Sequence, residues 1–356
     1  MKKLIPMLAL IPMVFLALTP PLDLSLDCTV NSTFWIWAVF ASGFLAFLFL
    51  YQRVSTWLKL LVIWLFISCF LSSAPFMSFT MFWSVIVCAY FYALCKKIED
   101  WTPVKKTFQA LFFFLTLLVI VQLLGKDTLL NFNLKTPSII GTIGNPMIAS
   151  SFVCVLAPFL ILSPLNWVVL IILSFITWSS GAVLSIGAGL CVYSWARFKK
   201  LRILIVVLAI LAPVLFAYKT GKVETFKSTA GRRLVWIETV KLSIKQPLGY
   251  GIGTYKVLYP IFCSKTVANE QPGREWNTCH NDWLQVLFEG GFPGLIFLVG
   301  WLVSIVRTAK NPAKLAGLAI LATNMMVHFP MRMVQGALII LMYLAYCSKG
   351  DTLWEA

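Results

Sequence analysis

Charge is scarce in this chain. Asp, Glu, Lys and Arg make up 12% of its 356 residues, about half the share a soluble globular protein carries. Acid is scarcer than base, 13 residues against 29, and His280 and His328 are the only histidines. No Asp-x-Asp pair occurs, so neither a zinc cage nor a magnesium clamp can be read from the sequence, and metal-independent chemistry without a cofactor is expected. Internal repeats and low-complexity tracts are lacking as well, which disfavours inverted-repeat transporters. Apolar residues fill the space left by charge, at 60% of the chain with a mean hydropathy of +0.88. That excess rules out a soluble enzyme, a disordered chain, a collagen and a coiled coil. The basic residues are dispersed along the joints rather than gathered in one domain, so nucleic acid is not an expected partner.

What is there is a series of long apolar runs without strand-like alternation. A backbone in lipid must satisfy its own hydrogen bonds, so such runs are expected as helices. About twelve fit the span rule, near 4–20, 34–52, 57–72, 76–95, 108–124, 146–163, 165–179, 182–196, 203–218, 284–306, 315–329 and 335–347. Only Ser179-Ser180-Gly181 separates the seventh from the eighth, so either a hairpin or one bent helix fits there. The expected fold class is an all-α polytopic membrane bundle with one large outer loop. Residues 1–218 carry nine spans, 219–279 form the loop, and 280–356 carry three more. With the amino terminus inside, sixteen of the 29 Lys and Arg fall on the inner face, from Lys2-Lys3 to Lys349. Only Lys126, Lys135 and Arg332 fall on the short outer loops, an asymmetry that the positive-inside rule describes. The remaining ten lie in 219–279, and long translocated segments escape that rule. Lys2-Lys3 and the apolar run after them also fit a cleaved signal, but no small-residue cleavage site precedes Pro20-Pro21.

A loop of this length is a functional candidate. Gly231-Arg232-Arg233 opens a helix expected to run to about Lys245, with Trp236, Val240 and Ile244 on one face. Pro247 ends it, and Gly249, Gly251 and Gly253 then permit unusual dihedrals or a close approach. The two arginines fit either a solvated basic face touching headgroups or a fork for phosphate oxygens. The loop closes on Cys279-His280-Asn281-Asp282-Trp283-Leu284, with Glu289 further along the next span. His280 suits either proton transfer or a helix cap. Glu289 is either an intramembrane functional carboxylate or a partner for backbone groups freed by Gly290-Gly291 and Pro293-Gly294. His328, Arg332 and Gln335 cluster at the outer end of the last two spans, as cavity lining or as ordinary interface residues. Of nine cysteines, Cys28, Cys263 and Cys279 face outward, and Cys263–Cys279 is expected either as a disulfide or as two free thiols.

The order Gly231-Arg232-x-x-x-Trp236, then Pro247 with the alternating glycines and Tyr255, then His280-Asn281-x-Trp283-Leu284 and Glu289-x-Gly291-x-x-Gly294, resembles the O-antigen ligase/polymerase family. Gly141-Thr142-Ile143-Gly144-Asn145-Pro146 is similar to another of its segments, so the resemblance spans about 141–295. Two positions depart from it. Ser179-Ser180-Gly181 stands where the family has a Ser-Arg pair, and Met147 stands where it has Asn; Arg233, Arg274 or Arg332 are candidates to supply the missing charge.

The resemblance implies a polytopic glycosyltransferase of the GT-C type in the bacterial inner membrane, with its active site facing the periplasm. It implies transfer of a glycan, with inversion, from an undecaprenyl-diphosphate donor to an acceptor, lipid A-core in the ligases and a glycan or protein in relatives. His280 and Arg232 are then the expected catalytic residues. Arg233, Arg274, Trp236, Asn281, Glu289, Asn145, His328 and Arg332 are expected at the substrate. Outside that class, a transporter or flippase for an anionic lipid-linked substrate is the competing expectation.

Overall fold

Prolines mark where several helices begin. Lacking an N–H and with φ already fixed, proline fits the first helical turn, and Pro75, Pro146, Pro164 and Pro312 each open a helix. The computed structural model describes residues 54–123, 146–160, 164–176, 179–198, 200, 223–264 and 276–349. All regular structure among them is helical: α1 (Thr56–Phe70), α2 (Pro75–Cys95), α3 (Thr102–Leu123), α4 (Pro146–Leu156), α5 (Pro164–Ile176), α6 (Ser180–Arg197), α7 (Val223–Lys245), α8 (Tyr255–Phe262), α9 (Asp282–Val306), α10 (Pro312–Val327) and α11 (Val334–Cys347). Short 3-10 turns follow α4 at Ala157–Phe159 and precede α11 at Pro330–Arg332.

Nine of the expected spans therefore coincide with helices; 4–20, 34–52 and 203–218 lie outside the described residues. Three described helices are long and apolar enough to cross a membrane: Pro75–Cys95, Thr102–Val121 and Asp282–Val306. The ambiguous pair resolves into two helices, α5 and α6, that pack on each other. Ser179 caps α6 by accepting the Ala182 N–H at 3.3 Å.

Small residues let α6 and α10 approach closely. Gly181, Ser185 and Gly189 recur every four residues on α6, and a Cβ at Gly189 would strike Ile320, as expected where small residues line a helix contact. The same α6 stripe that meets Ile320 at Gly189 meets His328 at Gly181, so the two helices run antiparallel. At the far end, Lys349 donates to the Ile98 carbonyl, Thr308 Oγ1 to the Cys347 carbonyl at 3.2 Å, and Lys105 and Lys314 both lie over the Tyr346 ring. The basic joints of α2–α3, α9–α10 and the end of α11 thus share one end of the bundle.

The other end carries a second apolar cluster, Val235, Leu242, Tyr255, Leu258, Tyr259, Trp276, Cys279 and Phe288. Helix α7, at 23 residues, ends at Lys245 as expected but begins at Val223, ahead of the expected start at Gly231. Trp236, Val240 and Ile244 do share one face of this helix, but the buried face is Val235, Thr239, Leu242 and Ser243, whereas Ile244 is 63% exposed. The reason is local: Thr239 Oγ1 donates to the Val235 carbonyl and Ser243 Oγ to the Thr239 carbonyl. Their hydroxyls are satisfied within the helix and enter an apolar cluster at little cost.

Helix α9 is not one continuous span. Gly291 takes φ 67° and ψ −171°, splitting it into two halves. Pro293 has no N–H to offer Glu289, four residues back, and the segment after α7 repairs the break. Tyr250 N donates to Phe288 O, Gly251 N to Glu289 O, and Phe292 N to Pro247 O, each at 2.9 Å. Trp64 Nε1 donates to Gly290 O at 2.6 Å. The glycines at 249 and 291 both hold positive φ, and a Cβ on either would enter the facing backbone. The close approach foreseen for the glycine run is to α9 at Gly249 and to the α1–α2 turn and α2 at Gly251 and Gly253.

The two outward cysteines of this cluster are free thiols. Cys263 Sγ donates to the Pro260 carbonyl at 3.4 Å and Cys279 Sγ to Thr239 Oγ1 at 3.7 Å. The disulfide expectation is corrected accordingly.

Candidate functional site

Four stretches converge at the end opposite the basic joints: the middle of α7, the 276–281 segment with the first half of α9, the turn after α10, and the start of α6. Trp236 on α7 fixes the approach to His280 by donating its Nε1 to the Cys279 carbonyl at 2.8 Å. Gln285 tightens it from below, accepting the Cys279 N–H through Oε1 at 3.3 Å. The backbone then turns sharply. His280 sits at φ 52°, a left-handed conformation uncommon outside glycine, asparagine and aspartate. Its ring meets Phe329 edge-on at 4.8 Å and Trp276 at 5.8 Å. The cap of α9 is Asn281, whose Oδ1 accepts the Leu284 N–H at 3.1 Å; His280 is not the capping residue.

Two carboxylates on the first half of α9 bind the turn that follows α10. Asp282 Oδ2 accepts the Met331 N–H at 2.9 Å, and Glu289 Oε2 pairs with Arg332 Nη2 at 2.7 Å. The other oxygen of Glu289 accepts from Gln285 Nε2 at 3.1 Å. Burial works against the Arg332 charge, but the Glu289 and Asp282 carboxylates outweigh it and raise its pKa above the usual guanidinium value. Glu289 is thus not the partner of the freed backbone groups, which go to 247–251 and Trp64. Asp282 drew no attention in the sequence, yet it is 2% exposed and its Oδ1 has no hydrogen-bond partner among the described residues.

His328, at the end of α10, occupies the notch left by Gly181, where a Cβ would strike its Nε2. That nitrogen lies 3.5 Å from Ser179 Oγ. Burial, then the charges of Arg232 and His280, push the His328 pKa down to about 3, so the ring is neutral at pH 7. The same groups are drawn together by contacts: Trp236, one turn after Arg232, bonds the Cys279 carbonyl, and the His280 ring packs on Phe329, the neighbour of His328. Arg232 is half-buried and Arg233, one position on, is exposed. Asn145 and Arg274 lie outside the described residues. The helix that begins just after Asn145 is tied to α10 by a reciprocal pair, Ser151 Oγ to Asn324 Oδ1 at 3.2 Å and Asn324 Nδ2 to Ser151 O at 3.1 Å.

Of the ten residues expected at the site, eight are described. Seven of these lie at this end of the bundle: His280, Arg232, Trp236, Asn281, Glu289, His328 and Arg332. Ser179, Asp282, Gln285 and Phe329 join them without having been expected. Ser179 alone carried a recognisable signal, as a serine immediately before an apolar helical run.

These features define a class first: an all-helical protein with membrane-capable helices and a cluster of imidazole, guanidinium and carboxylate groups at one end of the bundle. Within that class, residues 165–299 match the model of the O-antigen ligase family, which supports an O-antigen ligase-like family for this chain. The match begins in α5 and ends inside α9, so it includes Arg232 and His280 and stops short of His328 and Arg332. No curated protein matches the chain.

Proposed function

We propose that this protein transfers a glycan from an undecaprenyl-diphosphate donor to an acceptor hydroxyl, in the manner of an O-antigen ligase, at the periplasmic face of the bacterial inner membrane. The observation that carries the reading is that Trp236, one turn after Arg232 on α7, bonds the carbonyl just before His280, whose ring packs on Phe329 next to His328, beside an arginine already paired with Glu289. A diphosphate is a good leaving group, so the reaction asks for positioning and for cations where charge develops. Arg232 binds the diphosphate through its guanidinium fork, with Arg233 and Arg274 as the further cations. His280 takes the proton of the acceptor hydroxyl as its oxygen bonds to the anomeric carbon. The bond from that carbon to the diphosphate oxygen breaks on the opposite side, its electron pair stays with the diphosphate, and the configuration inverts. His328, neutral and set beside Ser179, offers a hydrogen bond rather than a charge.

Lipid A-core is the first acceptor to test, and a growing glycan or a protein the next, because the groups named here act on any hydroxyl. Transport is less well supported: among the described residues the ionisable side chains gather at the two ends of the bundle, not along a path between them. The deciding experiment incubates purified protein with lipid-linked oligosaccharide and each acceptor class and identifies the product by mass. Release of free polyprenyl diphosphate with one glycosylated acceptor supports the reading, and donor movement across the bilayer without any new glycosidic bond overturns it.

A further inference from the structure

Helices α7 and α8 bury one face in the outer cluster and leave the other apolar. Ile244 is 63% and Ile261 68% exposed, with Leu248, Val257 and Phe262 each above two-fifths. Exposed apolar residues scattered singly need no explanation, but a contiguous patch does. The segment after α7 and the end of α8 are tied to the bundle's own apolar surface by backbone and ring contacts. Leu248 lies in the segment stitched to α9 at Gly291, and Phe262 packs on Tyr250 with ring centroids 5.4 Å apart. The Tyr250 carbonyl is held by the Ser73 N–H at 3.2 Å and the Ser72 hydroxyl at 2.9 Å, in the turn between α1 and α2. Gly253 packs so closely on Met81 of α2 that a Cβ there would collide. The patch therefore continues into the outward residues of the bundle itself, Phe292 and Ile296 on α9 and Phe70 and Phe76 at the α1–α2 turn, all exposed.

Lys241 and Lys245 are exposed on the same side of α7 as Ile244. Apolar residues with interspersed lysines are the pattern of a helix lying in the headgroup and upper acyl region, where the lysine stems stay in the apolar layer and the ammonium groups reach phosphate. A symmetric contact between two copies would set these lysines near their own counterparts, which disfavours that occupant.

We infer that the Ile244–Leu248–Ile261–Phe262 face of α7 and α8 is a membrane-surface platform, seated in the outer interface of the bilayer with Lys241 and Lys245 on anionic headgroup phosphates. The inference rests on the reading of α2 and α9 as membrane spans and is independent of the glycan-transfer chemistry.

The test places a benzophenone side chain in the full-length protein by Ile244→p-benzoylphenylalanine and, separately, Ile261→p-benzoylphenylalanine. Ile296→p-benzoylphenylalanine on α9 serves as the reference. Each variant is irradiated in nanodiscs of phosphatidylethanolamine and phosphatidylglycerol containing no polyprenyl lipid, and adducts are identified by mass. Phospholipid adducts at 244 and 261 in yields of the same order as at 296 are expected, with the yield at 244 rising with the phosphatidylglycerol fraction. That rise is expected to be lost when Lys241→Gln and Lys245→Gln are added. Adducts at 296 with none at 244 and 261, or cross-linked protein dimers in place of lipid adducts, overturn the platform. A yield at 244 indifferent to phosphatidylglycerol overturns the role of the lysines. Absence of adducts at 296 itself would instead overturn the reading of α9 as a span.

Discussion

Arg332 and Glu289 face each other at 2.7 Å although they stand 43 positions apart in the chain, and this ion pair, with the Asp282–Met331 bond beside it, fastens the turn after α10 onto the first half of α9. Glu289 is 3% exposed at its side chain and Arg332 21%, so removing one partner leaves the other's charge largely away from water. Glu289→Gln is expected to destabilise the protein by on the order of 3 kcal/mol. Adding Arg332→Met should recover part of that loss. Thermal unfolding of the two single variants and the double variant in detergent closes the cycle, and fully additive losses would show that the pair is not coupled.

His280→Asn separates chemistry from architecture at a favourable position. Asparagine accepts the left-handed backbone that His280 adopts at φ 52°, and the helix cap belongs to Asn281, so folding should be little affected. If His280 takes the acceptor proton, single-turnover transfer should fall by something like the 10²- to 10⁴-fold typical of a general base, with donor binding retained. Asn281→Ala is the complementary control, expected to cost about 1 kcal/mol of stability through the lost cap. Wild-type turnover in His280→Asn would remove this residue from the mechanism.

Arg232→Lys keeps a charge but loses the planar fork, so it should weaken donor binding and turnover, and Arg232→Ala should weaken both further. Titration of each folded variant with donor, followed by single-turnover transfer, orders the three proteins. Equal binding by all three would assign the diphosphate to another cation.

His328 makes stability depend on pH. Its folded pKa of about 3 lies below the ordinary value of 6.5, so between these values the unfolded chain binds the extra proton and the folded one does not. Stability is therefore expected to fall as pH drops through that window and to lose nothing more from this group below it. The melting temperature of the native protein, measured from pH 7 to pH 4, should decline more steeply than that of His328→Gln. Parallel curves would mean that His328 does not contribute.

The thiols offer a chemical check. Burial pushes Cys279 up to about 12, and the neutral thiol is a poor nucleophile. Without any reductant, alkylation of native protein is expected to modify Cys263 while sparing Cys279, and to modify both after denaturation. Failure to alkylate either after denaturation would restore the disulfide.

Where the apolar helices among the described residues lie was legible because apolar run length is a local property of the chain, whereas α8 at Tyr255–Phe262 was not foreseen. Nor was the buried face of α7. Thr239 and Ser243 read as polar in sequence, but their hydroxyls are satisfied by carbonyls four residues back and go inside, while Ile244 turns out. The site was legible as a set of chemically able residues, with Arg232, Trp236, His280 and His328 all brought to one end. Which groups answer one another was not legible, since Arg332–Glu289, Asp282–Met331 and Ser179–His328 each join residues 43 or more positions apart. A one-dimensional pattern holds no record of such pairing. Asp282 illustrates the limit: an acidic residue one step into a helix is ordinary on any surface, and only burial makes it notable.

The stitch between residues 247–251 and 288–292 sets the smallest piece of this protein that can be exchanged with a relative. Neither side of the junction is complete alone, because the Phe288 and Glu289 carbonyls at the break are answered by N–H groups that follow α7, and the glycines at 249 and 291 each make room for the other's backbone. A chimera that replaces 223–264 and keeps the resident α9 therefore inherits a mismatched seam directly beneath His280, whereas one that moves 223–299 as a block carries both sides of it. Any property that this region carries can be transplanted cleanly only in that second form.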